Sequence, residues 1–354
     1  MAFDGITIAN IVKELNDTIL NGRIAKIAQP ENDELLLTIK PAKGQVRLVI
    51  SASASLPLIY LSRDNKPSPM TAPNFCMLLR KHIANGRIVG ISQPSLERII
   101  RFEIEHLDEL GDLCRKSLIV EIMGKHSNII FCDENNVILD SIKHISAQVS
   151  SVREVLPGRD YFIPHSGEKK NPLTITETEF KELLHSTPQN LSKALYMDLT
   201  GLSPVVAAEI CHLASLDGDI SAKEFSDAEL THLFHAFNWI MDDIREGNFT
   251  PNIIYEGEKP IEFAAVPLTM MEGGNYRTVK FDSISELLER YYSEKNTVSR
   301  IHQKSTDLRK IISNALERSV RKLDLQTKQL KDTEKREKYR IYGELLNTYG
   351  YSAK

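Results

Sequence analysis

Cysteine is scarce in this 354-residue chain: Cys76, Cys114, Cys132 and Cys211 lie far apart. That spacing excludes a disulfide scaffold and reads as reduced, mostly buried thiols. No apolar run approaches the roughly 20 residues a membrane helix needs. The opening Met1-Ala2-Phe3-Asp4-Gly5 lacks a basic region followed by an apolar stretch, so no signal peptide is visible. There is no Walker loop, no Gly-rich dinucleotide turn, and no His or Cys pair at metal-ligand spacing. The ten histidines are scattered, and no Ser–His–Asp arrangement follows from their spacing. His82, His106 and His144 read as locally satisfied groups. As an enzyme, the sequence is mute.

What the chain does contain is one phrase written twice. Asn21-Gly22-Arg23-Ile24-Ala25-Lys26-Ile27-Ala28-Gln29-Pro30 returns 64 residues later as Asn85-Gly86-Arg87-Ile88-Val89-Gly90-Ile91-Ser92-Gln93-Pro94, with seven of ten positions identical. Each copy follows a helix-like stretch and precedes an apolar run. The unit reads as helix, Gly stop, strand, Pro turn, strand, and two copies suggest halves that close one core together. The turns differ: Pro30-Glu31-Asn32-Asp33-Glu34 in the first, Pro94-Ser95-Leu96-Glu97-Arg98 in the second. The second places an acid–base pair at the mouth of a strand, a common position for recognition residues.

Periodicity predicts a helix over 7–20 and another from Pro73 to 85. Strands are expected near 23–29, 34–40, 45–53, 57–61, 87–93, 98–105, 117–123, 127–132 and 137–143. Gly158 to Pro172 reads as a boundary, after which helices are predicted at 176–186, 188–199, 203–215, 221–224 and 226–246. Ser203-Pro204 is a helix start with a Ser cap and Pro in the first turn. A β segment follows at 251–281. It is too short to be stable alone and should pack on or beside the first sheet. From Ser285 a helix runs past Arg340, with Ile301, Leu308, Ile312, Leu316, Val320, Leu323 and Leu330 in a loose heptad stripe. Lys304 and Thr327 lie near its seam. With no returning arm before Lys354, the expectation is a helix paired with another molecule, or the front part of a longer protein.

Charge is unevenly spread over a net of −4. Residues 171–260 carry 5 Lys+Arg against 15 Asp+Glu, and residues 291–340 carry 14 against 7. A basic helix of this kind is either a solvated face or a local nucleic-acid contact, with Arg318, Arg321 and Lys322 as the candidate contact residues. A second candidate is Glu121-Ile122-Met123-Gly124-Lys125-His126-Ser127-Asn128-Ile129-Ile130. Here Gly124 would turn the chain and Lys125, His126, Ser127 and Asn128 would crowd a sheet edge with donors suited to a phosphate or a sugar edge. The alternative is an ordinary hairpin whose Ser and Asn bond their own backbone.

That ten-residue stretch resembles the signature of the NFACT family, which includes ribosome-associated quality-control factors and proteins called fibronectin-binding protein A. Asn74-Phe75-Cys76-Met77-Leu78-Leu79-Arg80-Lys81-His82 resembles the family's second helix. Gly201-Leu202-Ser203-Pro204 with Ala208-Glu209-Ile210 resembles the entry to its helix-hairpin-helix domain. Tyr342-Gly343-Glu344-Leu345-Leu346 resembles the segment beyond its first coiled-coil arm. The resemblance runs the length of the chain.

It implies an α+β fold: a β-rich N-terminal domain with duplicated helix-hairpin units over 1–172, and an all-α helix-hairpin-helix domain over 173–250. A β segment at 251–284 would return to the first domain, and 285–354 would be the first coiled-coil arm. It implies a cytoplasmic, non-enzymatic RNA-binding factor that has no catalytic residue and needs no metal ion or organic cofactor. Its partners would be the large ribosomal subunit carrying peptidyl-tRNA, rRNA, and a tRNA of the alanine type, with no DNA and no membrane, and it would support mRNA-independent alanine tailing. The family's Asp-Arg pair needed for tailing falls on Glu97-Arg98, with Glu one methylene longer than Asp. Two rivals remain. A fibronectin-binding adhesin is supported by the family's older name. A glycosylase-like lyase is opposed by the start Met-Ala-Phe-Asp-Gly, which lacks the N-terminal Pro and adjacent Glu of those enzymes.

Overall fold

The structure, a computed structural model, describes residues 3–108, 110–150, 152–164 and 169–352, with side chains outside 296–308. It divides into two compact units, Met1–Ser293 and Glu294–Lys354.

The first unit begins with α1 (Gly5–Ile19), whose Ile8, Ile11, Leu15 and Ile19 are fully buried. It starts two residues earlier than its apolar spacing suggests because Asp4 caps it, accepting from the Thr7 amide at 2.8 Å. Strands β1 (Arg23–Glu31), β2 (Glu34–Lys40), β3 (Val46–Ala52) and β4 (Pro57–Ser62) follow as a meander. Then come α2 (Asn74–Ile83) and a second meander: β5 (Arg87–Ser92), β6 (Ile99–Leu107), β7 (Leu113–Glu121), β8 (Asn128–Cys132) and β9 (Ile138–Ser141). All nine strands form one antiparallel sheet in the order β4-β3-β2-β1-β5-β6-β7-β8-β9. Strands β3 and β7 touch although four strands separate them in that order, so the sheet folds over on itself. Its two halves and both helices share one core.

The repeated phrases meet at the sheet centre. Asn21 and Asn85 each leave their helix in the left-handed conformation (φ 64° and 63°), which asparagine tolerates better than most residues. The Asn21 amide then donates to the Ile88 carbonyl (2.8 Å) and the Asn85 amide to Ile24 (2.9 Å). The Ile24 amide donates to Gly86 (2.9 Å) and the Ile88 amide to Gly22 (3.0 Å). Each copy offers the other the same groups.

A second layer covers the far end of the sheet, where Ile99, Ile119, Ile130, Cys132, Ile138 and Val155 cluster. Beneath it the Glu121 carboxylate, 0% exposed, accepts from Arg153 and from the Tyr161 hydroxyl (2.9 Å). Burial, then the Glu121 charge, pushes the Tyr161 phenol well above its ordinary range.

The helical part comprises α3 (Glu177–Ser186), α4 (Leu191–Asp198), α5 (Pro204–Leu213) and α6 (Asp227–Glu246). Capping boxes start two of them, Thr176 with Glu179 and Ser226 with Glu229. Ser203 and Pro204 start α5 as their sequence implies. The helix expected at 221–224 is a single 3₁₀ turn, Ala222–Glu224. Helix α4 begins at Leu191 rather than 188, where the Asn190 side chain caps it. Phe180, Phe234 and Phe237 pack with ring centroids 5.0–5.9 Å apart in this core.

Strands β10 (Asn252–Glu256), β11 (Lys259–Ala264) and β12 (Tyr276–Lys280) make a separate three-stranded sheet. It touches both cores. Ile253, Tyr255 and Phe263 join the N-terminal cluster, while Ala265 and Val266 join the helical one. Glu209 of α5, fully buried, accepts from the Thr269 and Met270 amides just beyond β11 (2.9 and 3.0 Å). Helix α7 spans Ile284–Tyr349, and its first turns bury Ile284, Leu287, Leu288 and Tyr291 in the N-terminal core.

In the second unit, Ile312, Leu316, Val320, Leu323 and Leu330 of the heptad stripe are exposed. Arg318, Arg321 and Lys322 are exposed too, with Arg321 3.9 Å from Glu317. Ile301, Lys304 and Leu308 lie outside the described side chains. No helix among the described residues is long and apolar enough to cross a membrane.

Arg153→Met leaves Glu121 buried with Tyr161 as its remaining partner. Removing one member of a buried ion pair costs about 3–5 kcal/mol, so urea unfolding of the variant should show a loss of that order. A loss under about 1 kcal/mol, the level of an exposed pair, would show that Arg153 is not needed to neutralise that carboxylate.

Candidate functional site

The turn between β5 and β6 is built around Leu96. Ser95 takes a positive φ of 50°, and the Glu97 amide closes the turn on the Pro94 carbonyl at 2.9 Å. Leu96 is 1% exposed and packs with Ile6 and Leu202 in the helical core. Its backbone passes between two glycines. A Cβ on Gly5 would lie 1.9 Å from the Leu96 carbonyl oxygen, and one on Gly201 (φ 78°) would lie 2.2 Å from it. The Gly5 amide donates to the Gly201 carbonyl at 2.9 Å. The Gln93 side chain ties the turn further, donating to the carbonyls of Gly5 and Glu97 at 2.8 Å each. Three distant segments are thereby locked together: the start of α1, the 94–98 turn and the 200–204 loop.

Their junction leaves a cavity of about 220 Å³. Glu97 and Arg98, both half-buried, line it with Phe3, Asp4, Lys169 and Ser203. Strand β6 begins at Ile99, and the Arg98 carbonyl accepts from the Ile122 amide at 2.9 Å, which fixes the backbone beneath the side chain. Lys169 donates to the Tyr196 carbonyl at 3.1 Å. Burial lowers its ammonium pKa; Glu97 works against that shift and Arg98 adds to it. Asp4 is buried beside them and accepts from the Ser203 hydroxyl at 2.6 Å. Desolvation raises its pKa despite the bonds from Ser203 and Thr7. The site thus presents a planar guanidinium, an ammonium and the Glu97 carboxylate around a polar cavity, with the Asp4 carboxyl buried beside them. That arrangement suits an anionic ligand with a hydrogen-bonding edge.

A nucleophile is harder to find. Burial pushes the Cys132 and Cys211 thiols up to about 12 and raises Cys76 as well, the reverse of what an attacking thiolate requires. Among the described residues no three His, Cys, Asp or Glu side chains converge to hold a metal ion.

The signature segment differs from the expected edge of four donors. Gly124–His126 form a 3₁₀ turn that exposes Lys125 and His126. Ser127 and Asn128 are 1% and 3% exposed. The Ser127 hydroxyl accepts from the Met123 amide at 2.8 Å. Asn128 donates to the Lys143 carbonyl and accepts from the Ile129 and Lys143 amides. As an exposed donor edge the segment is therefore corrected to Lys125 and His126, because the other two side chains close the turn. Asp4, Lys169 and Ser203 of the cavity carry no local signal of a site. They meet Glu97 and Arg98 only because the fold brings positions 4, 97, 169 and 203 to one junction.

Residues 4–354 match the family described as NFACT N-terminal and middle domains. The chain is 35% identical over its whole length to the Rqc2 homolog RqcH of Bacillus subtilis, of which it spans 60%. It is 32% identical over 99% of its length to the Rqc2 homolog RqcH of Streptococcus pneumoniae, of which it spans 58%. In three dimensions it is similar to the fibrinogen binding protein from Staphylococcus aureus, with a TM-score of 0.70 at 30% identity over 82% of this chain and 99% of that one.

Two outcomes test the junction. Gly201→Ala must accept both a left-handed conformation, costing about 1–2 kcal/mol in itself, and contact with Leu96. It should lower stability by at least that amount in urea, and a neutral variant would show that the junction is not a tight constraint. Asp4 binds its proton more tightly folded than unfolded. Its contribution to stability is therefore present at low pH and lost as pH rises from its ordinary 3.8 through the raised value. Asp4→Asn keeps a capping oxygen and removes that slope. Its thermal midpoint should gain on the wild type as pH rises from acid to neutral, and a constant difference across that range would contradict the assignment.

Proposed function

We propose that this chain, which belongs to the NFACT family, is the tRNA-facing part of a ribosome-associated quality-control factor. It spans 60% of its Bacillus subtilis relative, and the activity proposed is that of the whole protein. The names of the relatives, including an archaeal Rqc2 homolog and a human ribosome quality control complex subunit, support the ribosomal setting. The observation that carries the reading is the Glu97–Arg98 turn, its backbone immobilised by Leu96 between two glycines, which lines one cavity with Lys169. A guanidinium carried on a fixed backbone presents a planar fork of donors in one place, which suits a phosphate or a base edge.

In this reading the protein acts in the cytoplasm on a large subunit blocked by peptidyl-tRNA. The N-terminal domain holds a tRNA of the alanine type, and the ribosome forms the peptide bonds of the alanine tail. The protein itself supplies position rather than chemistry and uses no cofactor. The two helix-and-meander halves are a duplicated unit. The second compact unit is one arm of a coiled coil, whose Arg318, Arg321 and Lys322 meet rRNA phosphates, while Lys125 and His126 add an RNA contact at the signature turn. A second reading, an adhesin for fibronectin, draws on solved relatives named for fibrinogen or fibronectin binding.

Arg98→Ala separates these readings. Arg98 is half-buried beside a solvent-open cavity, where an ion pair contributes about 0–1 kcal/mol, so the melting temperature should hardly move. Loss of a bidentate base or phosphate contact is worth about 1–3 kcal/mol, which corresponds to tRNA binding weaker by roughly 5- to 150-fold in a filter assay. Unchanged tRNA affinity and undiminished tailing by a full-length Arg98→Ala protein would reject the site. Unchanged fibronectin capture alongside lost tRNA binding would separate the second reading from the first.

A further inference from the structure

The outer face of the large sheet carries a row of charge that the cavity does not use. Register places Lys40 opposite Arg23, Arg23 opposite Arg87, Arg87 opposite Glu105, and Glu105 opposite Arg115. Five adjacent strands, β2-β1-β5-β6-β7, thus present one residue each in a line perpendicular to the chain direction. Residues directly opposite on antiparallel strands share a face, and like charges so placed are destabilising. Lys40, Arg23, Arg87 and Arg115 are all exposed. The single carboxylate, Glu105, is held by Arg115 at 2.7 Å and by Arg87 at 3.3 Å. Among the described residues no carboxylate pairs with Arg23 or Lys40. The row has four cations and one anion, on a chain whose net charge is −4. At a strand spacing of about 4.8 Å it extends for roughly 19 Å.

Three cations in consecutive register are a cost to the fold that surface composition does not require. We infer that the row is a track for the phosphodiester backbone of RNA, separate from the Glu97–Arg98 cavity. A line without depth suits a polyanion with regularly spaced charges better than a single phosphate, which two neighbouring cations would satisfy. Glu105 lies seven residues beyond Arg98, about 23 Å at strand rise and at opposite parity, so the row is a place apart from the cavity. The track rests on the RNA-binding reading above and adds affinity without sequence selectivity, as backbone contacts do.

The test uses the whole 354-residue chain with two fluorescent probes, a tRNA and a short unstructured RNA, titrated over a range of salt. The variant is Arg23→Ala with Lys40→Ala, and Arg23→Gln with Lys40→Gln guards against a folding defect. Lys193→Ala with Lys223→Ala, both exposed on the helical part, makes the same change of charge elsewhere. Each phosphate contact on single-stranded nucleic acid contributes about 0.7 to the slope of log affinity against log salt. Loss of two contacts should flatten that slope by about 1.4 on the unstructured probe, with the thermal midpoint unchanged or raised as repulsion is relieved. A slope equal to that of the Lys193/Lys223 control overturns the track.

The same face continues into Leu107 and Leu113, which are exposed and paired, so vesicles containing phosphatidylserine form a further arm. Binding lost to vesicles but kept to RNA would assign the row to a membrane surface and overturn the track. If Arg98→Ala binds tRNA normally while the row variant fails, the cavity reading falls and the track stands. The reverse pattern rejects the track alone, and a wild-type chain that binds neither RNA probe rejects both.

Discussion

At Leu96 the backbone runs so close to Gly5 and Gly201 that neither position has room for a methyl group. Most of the architecture around the site follows from that contact. It holds the second meander's turn against the start of α1 and the loop that leads into α5. Asp4 then finds itself both capping α1 and accepting from Ser203, the cap of α5. Two helices from different parts of the chain share one carboxylate, and the cavity is the space left beneath it. The backbone of Glu97 and Arg98 is fixed by the same neighbour, together with the bonds from Gln93 and Ile122.

Local features of the sequence were legible because local physics sets them. The stripe Ile8, Ile11, Leu15 and Ile19 marks α1, Ser203-Pro204 marks α5, and the two Asn-Gly pairs mark helix ends. Boundaries moved where a side chain outside the apolar pattern acts, as with Asp4 before α1 and Asn190 before α4. Gly124 signalled a turn correctly, but not that Ser127 and Asn128 would be consumed in closing it. A polar side chain's partner is invisible in sequence when that partner is backbone several residues away.

The site divides in the same way. Glu97 and Arg98 could be named through the family resemblance, whereas Lys169, Asp4 and Ser203 could not, since only tertiary structure brings them together. Strand register is likewise absent from a one-dimensional reading. Lys40 and Arg23 are unremarkable seventeen residues apart and become a like-charged pair only when β1 lies beside β2. The acidic stretch 171–260 contains the helical part, while cations gather on the sheet's outer face and in the second compact unit. A modest net charge conceals that separation.

The crossing of the two repeated phrases has a consequence for how the domain can assemble. Asn21, Gly22 and Ile24 offer the other half the same donors and acceptors that Asn85, Gly86 and Ile88 offer in return. Each half is thus self-complementary at this edge. Severed from its companion, a half would expose an unpaired central strand, and the nearest match for that edge is another copy of itself. Domain swapping through the sheet centre is the misassembly to which this architecture is built to be prone, and covalent linkage of the halves in one chain is what keeps the correct pairing ahead of it.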